Sequence, residues 1–472
     1  MKKKISYIIG LLLVVTIAFS CFQKVFSFKY GDGIYEWTAY YDLPEDSLDL
    51  LAIGSSHAFE NINPNVLWEE HGIASFDLCG SISPMWSSYY FLKEALKTQK
   101  PKLVVLEAYC LVKTAEYMDD SRIIKNLYGM KWNKNKFDAL RTGTPKERWL
   151  EFGLSYIQYH NRYKDLTEED FVRFKDDAPF YQNWKGFGNN FAVTPYEKPV
   201  YSFDEKTADI PEKQEMFYRK IIELCQEQDI PLMICAAPYP DYSEDDMRIF
   251  NRAAEIAAAY GVPFTDYNRF TEEIGLDWTT DFADSDHLNH LGNVKFTRYL
   301  GDMIEKNYTF ESHKGDARYV SWDRALHYYQ NSMENQKYAE TENAEDYAKL
   351  LSNLPERCIM FISLKGNWDA SRIPGSVKKA LEEYAIFIDD QVPGTTHLWS
   401  HMESGDGELP VEKEEYYQVK IGKKELIADS TGIYWNLQNL QTTKHGLNLV
   451  IFDQENQQVV DSVSFDGDTI IR

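Results

Sequence analysis

The sequence predicts an α/β protein with a parallel sheet, an apolar helix at its N-terminus and a separate α+β module at its C-terminus. Strand and helix patterns alternate from about residue 48 to 110, and again from about 210 to 307. Before this region an uncharged segment follows three lysines, and beyond about residue 310 the pattern changes. Strands that alternate with helices favour a parallel sheet covered on both faces.

The composition is that of a globular protein with a substantial core. Hydrophobic residues make up 44% of the 472 residues and aromatic residues 15%, which is not the composition of a disordered chain. The net charge of −24 repels polyanions, so we do not expect nucleic-acid binding. The six cysteines form no CxxC pair and no disulfide framework, and we expect no metal and no cofactor.

Residues 1–30 are predicted to be a membrane anchor with its juxtamembrane segment. Residues 5–22 (ISYIIGLLLVVTIAFSCF) are uncharged, and as a helix they span ~27 Å at ~1.5 Å per residue, close to the ~30 Å hydrocarbon core. We expect the lysines at 2–4 to hold the N-terminus in the cytoplasm. The helix would then be a single-pass anchor, with the rest of the chain on the outer side of the membrane. A signal peptide cut near residues 18–20 and a lipoprotein modified at Cys21 are alternatives, and all three export the chain.

Three strands and two helices are predicted between residues 48 and 110. LDLLAIG, IASFDLCG and KLVVLEAY are typical of buried strands. The first helix has Asn63 as its N-cap, Pro64 at its first position and Gly72 past its end. The second helix, SPMWSSYYFLKEALKTQ, has Ser83 as its cap, followed by Pro84.

The alternation is interrupted by an aromatic-rich insertion at about 111–210. It resumes with the helix PEKQEMFYRKIIELCQEQ, the strand IPLMICAAP, a helix capped by Ser243, the short strand VPFTDY and the helix NVKFTRYLGDMIEKN. We therefore expect an α/β domain over 31–310. A helical connector over 311–355 and a C-terminal α+β module over 356–472 follow it.

Polar residues follow the predicted strands at the edge where open α/β sheets carry their functional groups. The first strand is followed by Gly-Ser-Ser-His at 54–57, and the second by Cys-Gly-Ser at 79–81. The segment DFADSDHLNHLG, which contains Asp284 and His287, comes after the fifth strand. A serine, a glycine that exposes backbone N–H groups and an Asp-x-x-His pair are the components of nucleophilic acyl transfer.

These residues resemble the motifs of the SGNH (GDSL-like) hydrolase superfamily, above all its membrane-anchored branch of DltD-like and alginate-acetylation proteins. Residues 54–57 stand where the family has Gly-Asp-Ser, Gly80 matches its oxyanion glycine, and residues 284–287 match its late Asp-x-x-His block. The resemblance covers about residues 48–307, apart from the insertion, and implies a flavodoxin-like parallel sheet of the SGNH hydrolase type.

The resemblance also implies the catalytic roles. Ser56 would be the nucleophile, His287 its base and Asp284 the residue that orients the imidazole. The family's Gly-x-Asn-Asp motif is missing after the third strand, so the oxyanion hole would rest on the amides of Ser56 and Gly80. Three other residues stand at that point of the chain: Glu107, Tyr109 and Cys110.

Several neighbouring residues have ordinary structural explanations. Ser55 is the alternative nucleophile. His57 and His290 flank the motifs, and for both a packing role is favoured over direct involvement. Asp281 and Asp286 are expected to be solvated carboxylates of a loop.

The insertion contributes two weak candidates for substrate binding. His160 and Arg162 lie in YHNRYKDLTEEDF and could reach over the cleft to an anionic or sugar substrate, although surface packing is the stronger explanation. The aromatic residues of the insertion are expected to form a satellite core. The acidic run DFADSD lacks the Gly and the distal Glu of a calcium-binding loop, so no metal site is expected there.

The C-terminal module has a resemblance of its own. Residues 445–467 (HGLNLVIFDQENQQVVDSVSFDG), with the strand CIMFISLKGN, resemble the interleukin-like EMT inducer (PANDER-like) domain. This resemblance implies binding of a glycan or of a protein partner.

Together the resemblances imply an extracytoplasmic serine esterase or O-acyltransferase, anchored in the cell membrane, that acts on a cell-surface polysaccharide. They imply a multipass membrane O-acyltransferase as a partner. Two alternatives are a catalytically silent scaffold that binds glycan and a DltD-like protein that transfers D-alanine to teichoic acid. The missing asparagine favours the scaffold, and the C-terminal module is not expected in a DltD-like protein.

Overall fold

The chain divides into two compact units, residues 1–326 and 327–472. The boundary falls inside the predicted connector, within a helix that spans Val320–Glu340. The predicted domain boundaries stay a prediction. The computed structural model describes residues 2–26, 33–112, 117–153, 160–164, 166, 170–171, 184–365, 368–391, 397–401, 417–421, 424–428, 432–436 and 438–472.

Unit 1 is built on a five-stranded parallel sheet, which confirms the predicted α/β class. Its strand order is β2-β1-β3-β4-β5, and all neighbouring strands are parallel. The order reverses between β1 and β3, and this switch point is where doubly wound sheets bind their ligands. The strands are β1 Leu50–Ile53, β2 Ser75–Asp77, β3 Leu103–Glu107, β4 Leu232–Ala236 and β5 Phe264–Asp266.

Helices connect these strands. Leu67–His71 continues α4 as a π-helical turn. The α-helices of unit 1 are α1 Lys2–Phe26, α2 Ile34–Tyr41, α3 Ser56–Asn61, α4 Pro64–Val66, α5 Met85–Ala95, α6 Asp120–Leu127, α7 Lys134–Gly143, α8 Trp149–Gly153, α9 Glu212–Glu227, α10 Glu244–Ala259, α11 Thr271–Ile274 and α12 Gly292–Asn307, and α13 is the helix Val320–Glu340 at the unit boundary.

Two of the three predicted N-caps are confirmed. The side chain of Asn63 accepts the N–H of Asn65 at the start of α4, and Ser243 forms a reciprocal capping box with Asp246 at the start of α10. The third is wrong. Ser83 does not cap α5, because this helix begins one residue later than predicted.

The central strands are buried on both faces, as the sequence predicts. Leu51 and Ile53 of β1 belong to one hydrophobic cluster, while Leu50 and Ala52 belong to another. Because side chains of a strand alternate between its two faces, the two clusters lie on opposite sides of the sheet. The faces of the sheet are thus filled with apolar side chains, and in such sheets ligands bind outside the carboxyl ends of the strands.

The predicted insertion joins the main core where the structure describes it. Ile123, Leu127, Leu140 and Phe152 are buried in the same cluster as Leu51. The expectation of a satellite core is therefore wrong for this part of the insertion. The apolar side chains of α6 and α7 pack against the same cluster as the side chains of β1, so they add to the main core.

The N-terminal helix α1 exposes its apolar side chains, with Ile8, Leu12 and Val15 at least 55% exposed. In the part of the chain that the structure describes, no helical segment reaches the length and hydropathy that crossing a bilayer requires. The transmembrane anchor stays a prediction.

Unit 2 combines helices with two antiparallel sheets, which is the composition of an α+β module. The sheet orders are β14-β13-β12-β6-β7 and β11-β10-β9-β8. The elements of unit 2 that follow α13 are α14 Ala344–Leu351, β6 Cys358–Lys365, α15 Gly375–Glu382, β7 His397–His401, β8 Tyr417–Ile421, β9 Lys424–Ala428, β10 Ile433–Trp435, β11 Gln438–Asn439, β12 Gly446–Asp453, β13 Gln458–Asp466 and β14 Thr469–Ile471.

Gly186 and Gly261 offer a matched pair of substitutions in unit 1. Both have a left-handed backbone, with φ of 83° and 72°, so alanine is strained at either position. A Cβ at 261 would meet open space, whereas a Cβ at 186 would lie 2.1 Å from the carbonyl oxygen of Asp77. We expect Gly261→Ala to lower the free energy of unfolding by about 1 kcal/mol and Gly186→Ala by about 3 kcal/mol or more, measured by chemical denaturation. Equal losses would contradict the close approach at Gly186.

Candidate active site

Ser56 lies directly after the central strand β1, at the start of α3. Ser55 is the N-cap of this helix, and its Oγ accepts the N–H of His57 at 3.3 Å. Ser56 is the first residue of the helix, so the helix itself provides no acceptor for its N–H. The local fold thus presents both the hydroxyl and the amide of Ser56 at the carboxyl edge of the sheet.

The structure brings Ser56, His287 and Asp284 together. His287 Nε2 lies 2.8 Å from Ser56 Oγ, and His287 Nδ1 lies 2.9 Å from Asp284 Oδ1. A carboxylate only accepts hydrogen bonds, so Nδ1 carries the imidazole proton and Nε2 accepts the hydroxyl of Ser56. This is the hydrogen-bonding order that a serine needs to lose its proton to an imidazole.

The loop that carries Asp284 and His287 is held by its own hydrogen bonds and by α3. The N–H of Ala283 donates to the carbonyl of His287 at 3.0 Å, and the N–H of Leu288 donates to Asn61 Oδ1 at 3.0 Å. Asp284 Oδ1 also accepts the N–H of His287. These bonds fix the imidazole relative to the helix that begins at Ser56.

Asp281 and Asp286 differ from the expected solvated carboxylates. Asp281 is fully buried and pairs with Lys295 Nζ at 2.5 Å, so it anchors the loop to α12. Asp286 is half-buried, and its Oδ1 accepts the hydroxyl of Tyr109 at 2.6 Å. The expectation was wrong because the loop packs against two structural partners, Lys295 in the helix that follows it and Tyr109 at the end of β3.

A cleft of about 530 Å³ opens beside Ser56 and His287. Its walls combine apolar and polar side chains with a cation, as small-molecule sites commonly do. Its other lining residues are Ser55, Ile82, Ser83, Pro84, Tyr109, Cys110, Val112, Arg122 and Asp286.

His57 and Tyr109 form an aromatic layer beside the imidazole. Their rings stack with centroids 3.4 Å apart, and the His57 and His287 centroids are 5.2 Å apart. His57 is fully buried, so it supports the site through packing and does not reach the cleft. The sequence drew attention to Tyr109 only as a residue at the end of β3, and its contact with Asp286 was missed.

Glu107, at the end of β3, is a second group that sequence reasoning left without a role. It is fully buried, and its carboxyl accepts the N–H groups of Tyr109 at 3.1 Å and Ala237 at 3.2 Å. Burial raises the pKa of this carboxyl to about 8. Glu107 is therefore mostly neutral at pH 7 and ties β3 to β4 below the site.

Glu60 of α3 brings a second carboxyl to the imidazole. Its Oε1 lies 4.0 Å from His287 Nε2, and its Oε2 accepts a hydrogen bond from Asn190 at 3.3 Å. Burial raises the pKa of Glu60. No sequence signal identified it, because a single Glu on a short helix has no distinctive spacing.

Gly80 lies near the site, but its N–H is directed at the carbonyl of Gly54, at 3.4 Å. A Cβ at this position would lie 2.0 Å from Asn126 Oδ1, so glycine is required by this close approach. Gly80 is not among the residues that line the cleft. The geometry therefore does not support the predicted role of its amide in an oxyanion hole.

Arg162, one of the two weak substrate-binding candidates, is not among the residues that line the cleft. The guanidinium of Arg162 donates to the carbonyl of Phe26 at 2.8 Å and to Asp170 at 3.0 Å, so it is held away from the cleft by a carboxylate. The side chain of His160 lies outside the described residues. His290 is buried, and its ring packs against Phe191.

No protein-family model matches the chain, and no curated protein shows significant sequence similarity to it. The fold and the site nevertheless define a class. Unit 1 is an α/β protein with a Ser–His–Asp chain of hydrogen bonds at the switch point of a parallel sheet.

Glu107→Gln tests the raised pKa of the buried carboxyl. Folding raises the pKa of the Glu107 carboxyl from 4.5 to about 8. Between these pH values the unfolded chain has released the proton and the folded protein still holds it, so the free energy of unfolding falls as the pH increases. Between these pKa values the wild type should therefore lose up to about 1.4 kcal/mol per pH unit relative to Glu107→Gln. Denaturation curves taken in steps across this window measure the difference.

Glutamine cannot accept both backbone N–H groups, so the variant will start from a lower free energy of unfolding at acidic pH. The slope against pH is the readout, and it is independent of this constant loss. Parallel pH profiles for the two proteins would show that Glu107 titrates as it does in the unfolded chain.

Proposed function

We propose that the chain is an SGNH-type serine esterase or O-acyltransferase that acts on a cell-surface polysaccharide. The observation that carries this proposal is the hydrogen-bonded chain from Ser56 Oγ through His287 to Asp284, at 2.8 and 2.9 Å, on the wall of an open cleft. A serine hydroxyl is a weak nucleophile, and this arrangement is the one that activates it.

In the proposed reaction, Ser56 Oγ attacks the carbonyl carbon of an ester while His287 Nε2 takes the hydroxyl proton. Asp284 stabilises the imidazolium that forms. The tetrahedral intermediate then expels the alcohol, which takes the proton from His287, and leaves an acyl group on Ser56. Water or a sugar hydroxyl, deprotonated in turn by His287, attacks this acyl group and releases Ser56 for another cycle.

The side chains supply the whole reaction, so the proposal includes no metal and no cofactor. The charge distribution suits it, because Glu107 below the site is mostly neutral at pH 7. Glu107 Oε1 lies 3.9 Å from Nδ1 of His57, whose ring neighbours that of His287, so an ionised Glu107 would add negative charge close to the site.

Family membership and location are parts of the same proposal. The SGNH assignment is supported by the strand order 2-1-3-4-5 and by the position of Ser56 after β1. A location outside the cytoplasm, with an anchor in the cell membrane, rests on the uncharged residues 5–22 and on the exposed apolar side chains of α1. A multipass membrane O-acyltransferase would be the partner that supplies the acyl group.

For unit 2 we propose binding of a glycan, in line with its PANDER-like sequence. A cleft of about 160 Å³ in this unit is lined by residues that include Trp368, His445 and Asp466. An aromatic wall with a few polar groups is typical of small-ligand sites.

A catalytically silent glycan-binding scaffold is the second candidate, and one observation favours it. The N–H of Gly80 donates to the carbonyl of Gly54, so a two-amide oxyanion hole is not formed by Ser56 and Gly80. Fluorophosphonate labelling separates the candidates, because a silent scaffold does not activate a serine.

Ser56→Ala tests the nucleophile. We expect the wild-type chain to hydrolyse an activated acetyl ester and to be labelled by a fluorophosphonate, and we expect the variant to lose labelling and at least about 10³-fold in kcat. Ser55→Ala is the matched variant. It removes an N-cap, so it should lower stability by about 1 kcal/mol and still be labelled. Equal labelling of wild type and Ser56→Ala would end the assignment.

Asp284→Asn tests the orientation of the imidazole. An amide at this position can hold the wrong tautomer of His287, so we expect kcat to fall by about 10²- to 10⁴-fold with the fold intact. Asp286→Asn is the control in the same loop, because its amide oxygen still accepts the hydroxyl of Tyr109. We expect it to lose far less activity, and comparable losses in both variants would argue against a specific role for Asp284.

A further inference from the structure

The loop between β2 and α5 carries a hydroxyl that the proposed reaction has not used. Ser83 is fully buried and lines the cleft beside Ser56 and His287, and its Oγ has no hydrogen-bond partner among the described residues. The sequence predicted that this hydroxyl would cap α5, but no side chain caps that helix. A buried hydroxyl is costly to leave unpaired, so its place in the cleft wall indicates a ligand atom as its partner.

The loop is held in this conformation from α6. The amide nitrogen of Asn126 donates to the carbonyl of Ser81 at 3.1 Å, and Asn126 Oδ1 packs against Gly80, where only glycine leaves room. Ser83 Oγ lies 3.2 Å from the position that a Cβ on Gly80 would occupy. The hydroxyl of Ser83 therefore lies next to the residue that was expected to complete the oxyanion hole.

Backbone strain in the same loop points to the same conclusion. Ile82, directly before Ser83, has a positive φ of 47°, which is rare for a β-branched residue. Such strain persists only where the surrounding structure imposes it, and it is concentrated at functional sites. Ile82 also lines the cleft, so the strained residue and the unpaired hydroxyl are adjacent on one wall.

We propose that the hydroxyl of Ser83 is the second donor of the oxyanion hole, beside the N–H of Ser56. This inference rests on the proposed acyl transfer. When Ser56 Oγ attacks, the electron pair of the carbonyl bond moves onto the carbonyl oxygen, and both donors bind the negative charge until the pair returns and the alcohol leaves. Ser83 thus takes the place of the Gly80 amide, which faces Gly54, and of the asparagine that the chain lacks.

Ser83→Ala in the intact chain of 472 residues tests this role. We expect kcat for an acetyl ester to fall by about 10²-fold, with little change in KM, because the donor acts on charge that develops in the transition state. Ser88→Ala is the matched control. It removes the same hydroxyl from a buried serine of α5 that does not line the cleft, and its kcat should stay at the wild-type value.

The ratio of the rates for an ester and its thionoester distinguishes an oxyanion donor from a residue that only supports the fold. Loss of a merely structural residue would leave this ratio unchanged. Sulfur is a poor hydrogen-bond acceptor, so in the wild type the thionoester should react much more slowly than the ester. If Ser83 contacts that atom, the penalty for sulfur will shrink in Ser83→Ala, because the two changes remove the same interaction. Equal penalties in both proteins would overturn the proposal.

The outcomes separate this inference from the proposed function. A wild-type chain that is labelled at Ser56, together with full kcat in Ser83→Ala, would refute the role of Ser83 and leave the nucleophile intact. A wild-type chain without any labelling or turnover would refute both. Loss of kcat in Ser83→Ala with an unchanged fluorescence spectrum and an unchanged thermal midpoint supports the oxyanion role.

Discussion

The site depends on one hydrogen bond, between Ser56 Oγ and His287 Nε2, which joins residues 231 positions apart. That bond exists because α3 and α12 are locked together below it. Thr297 Oγ1 accepts the N–H of Asn63 and donates to the carbonyl of Asn61, and Asn61 Oδ1 holds the loop before α12 at Leu288. The short helix α3, which begins at Ser56, and the long helix α12, which follows the loop with His287, thus form one rigid support.

Burial separates the acidic groups of the site by function. The chain carries a net charge of −24, and a site beside several carboxyl groups could easily trap its imidazole as a permanent cation. Complete burial raises the pKa of Glu107 to about 8, so this carboxyl is mostly neutral at pH 7, and burial also raises the pKa of Glu60. Asp284, with a half-exposed side chain, is the carboxylate that contacts Nδ1 directly. Both the short distance from Asp284 to His287 and the burial of the other two carboxyl groups distinguish Asp284 in the proposed reaction.

The loop between β2 and α5 shows where reasoning from motifs stops. Gly80 was selected because a glycine in that position exposes its backbone N–H to a substrate oxygen. In the structure the missing side chain leaves room for Asn126, and the N–H of Gly80 donates to the carbonyl of Gly54. Ser83 was selected as a helix cap, but α5 begins one residue later than predicted. The hydroxyl of Ser83 lines the cleft instead. Neither feature can be read from the loop's own residues, because its conformation also depends on contacts from α6, where Asn126 donates to the carbonyl of Ser81 and packs against Gly80.

The sequence by itself predicted the parallel sheet, most ends of the helices that it identified and the convergence of Ser56, Asp284 and His287, because these depend on local periodicity, on capping side chains and on the rule that strand ends converge at one edge. The burial of Asp281, the stack of His57 on Tyr109 and the orientation of the Gly80 amide were decided only by the tertiary structure. They depend on side chains that come from different secondary-structure elements, such as Asp281 with Lys295 and His57 with Tyr109, or on the way a loop is packed. No local pattern encodes such contacts, because their free energy exists only once the elements have come together.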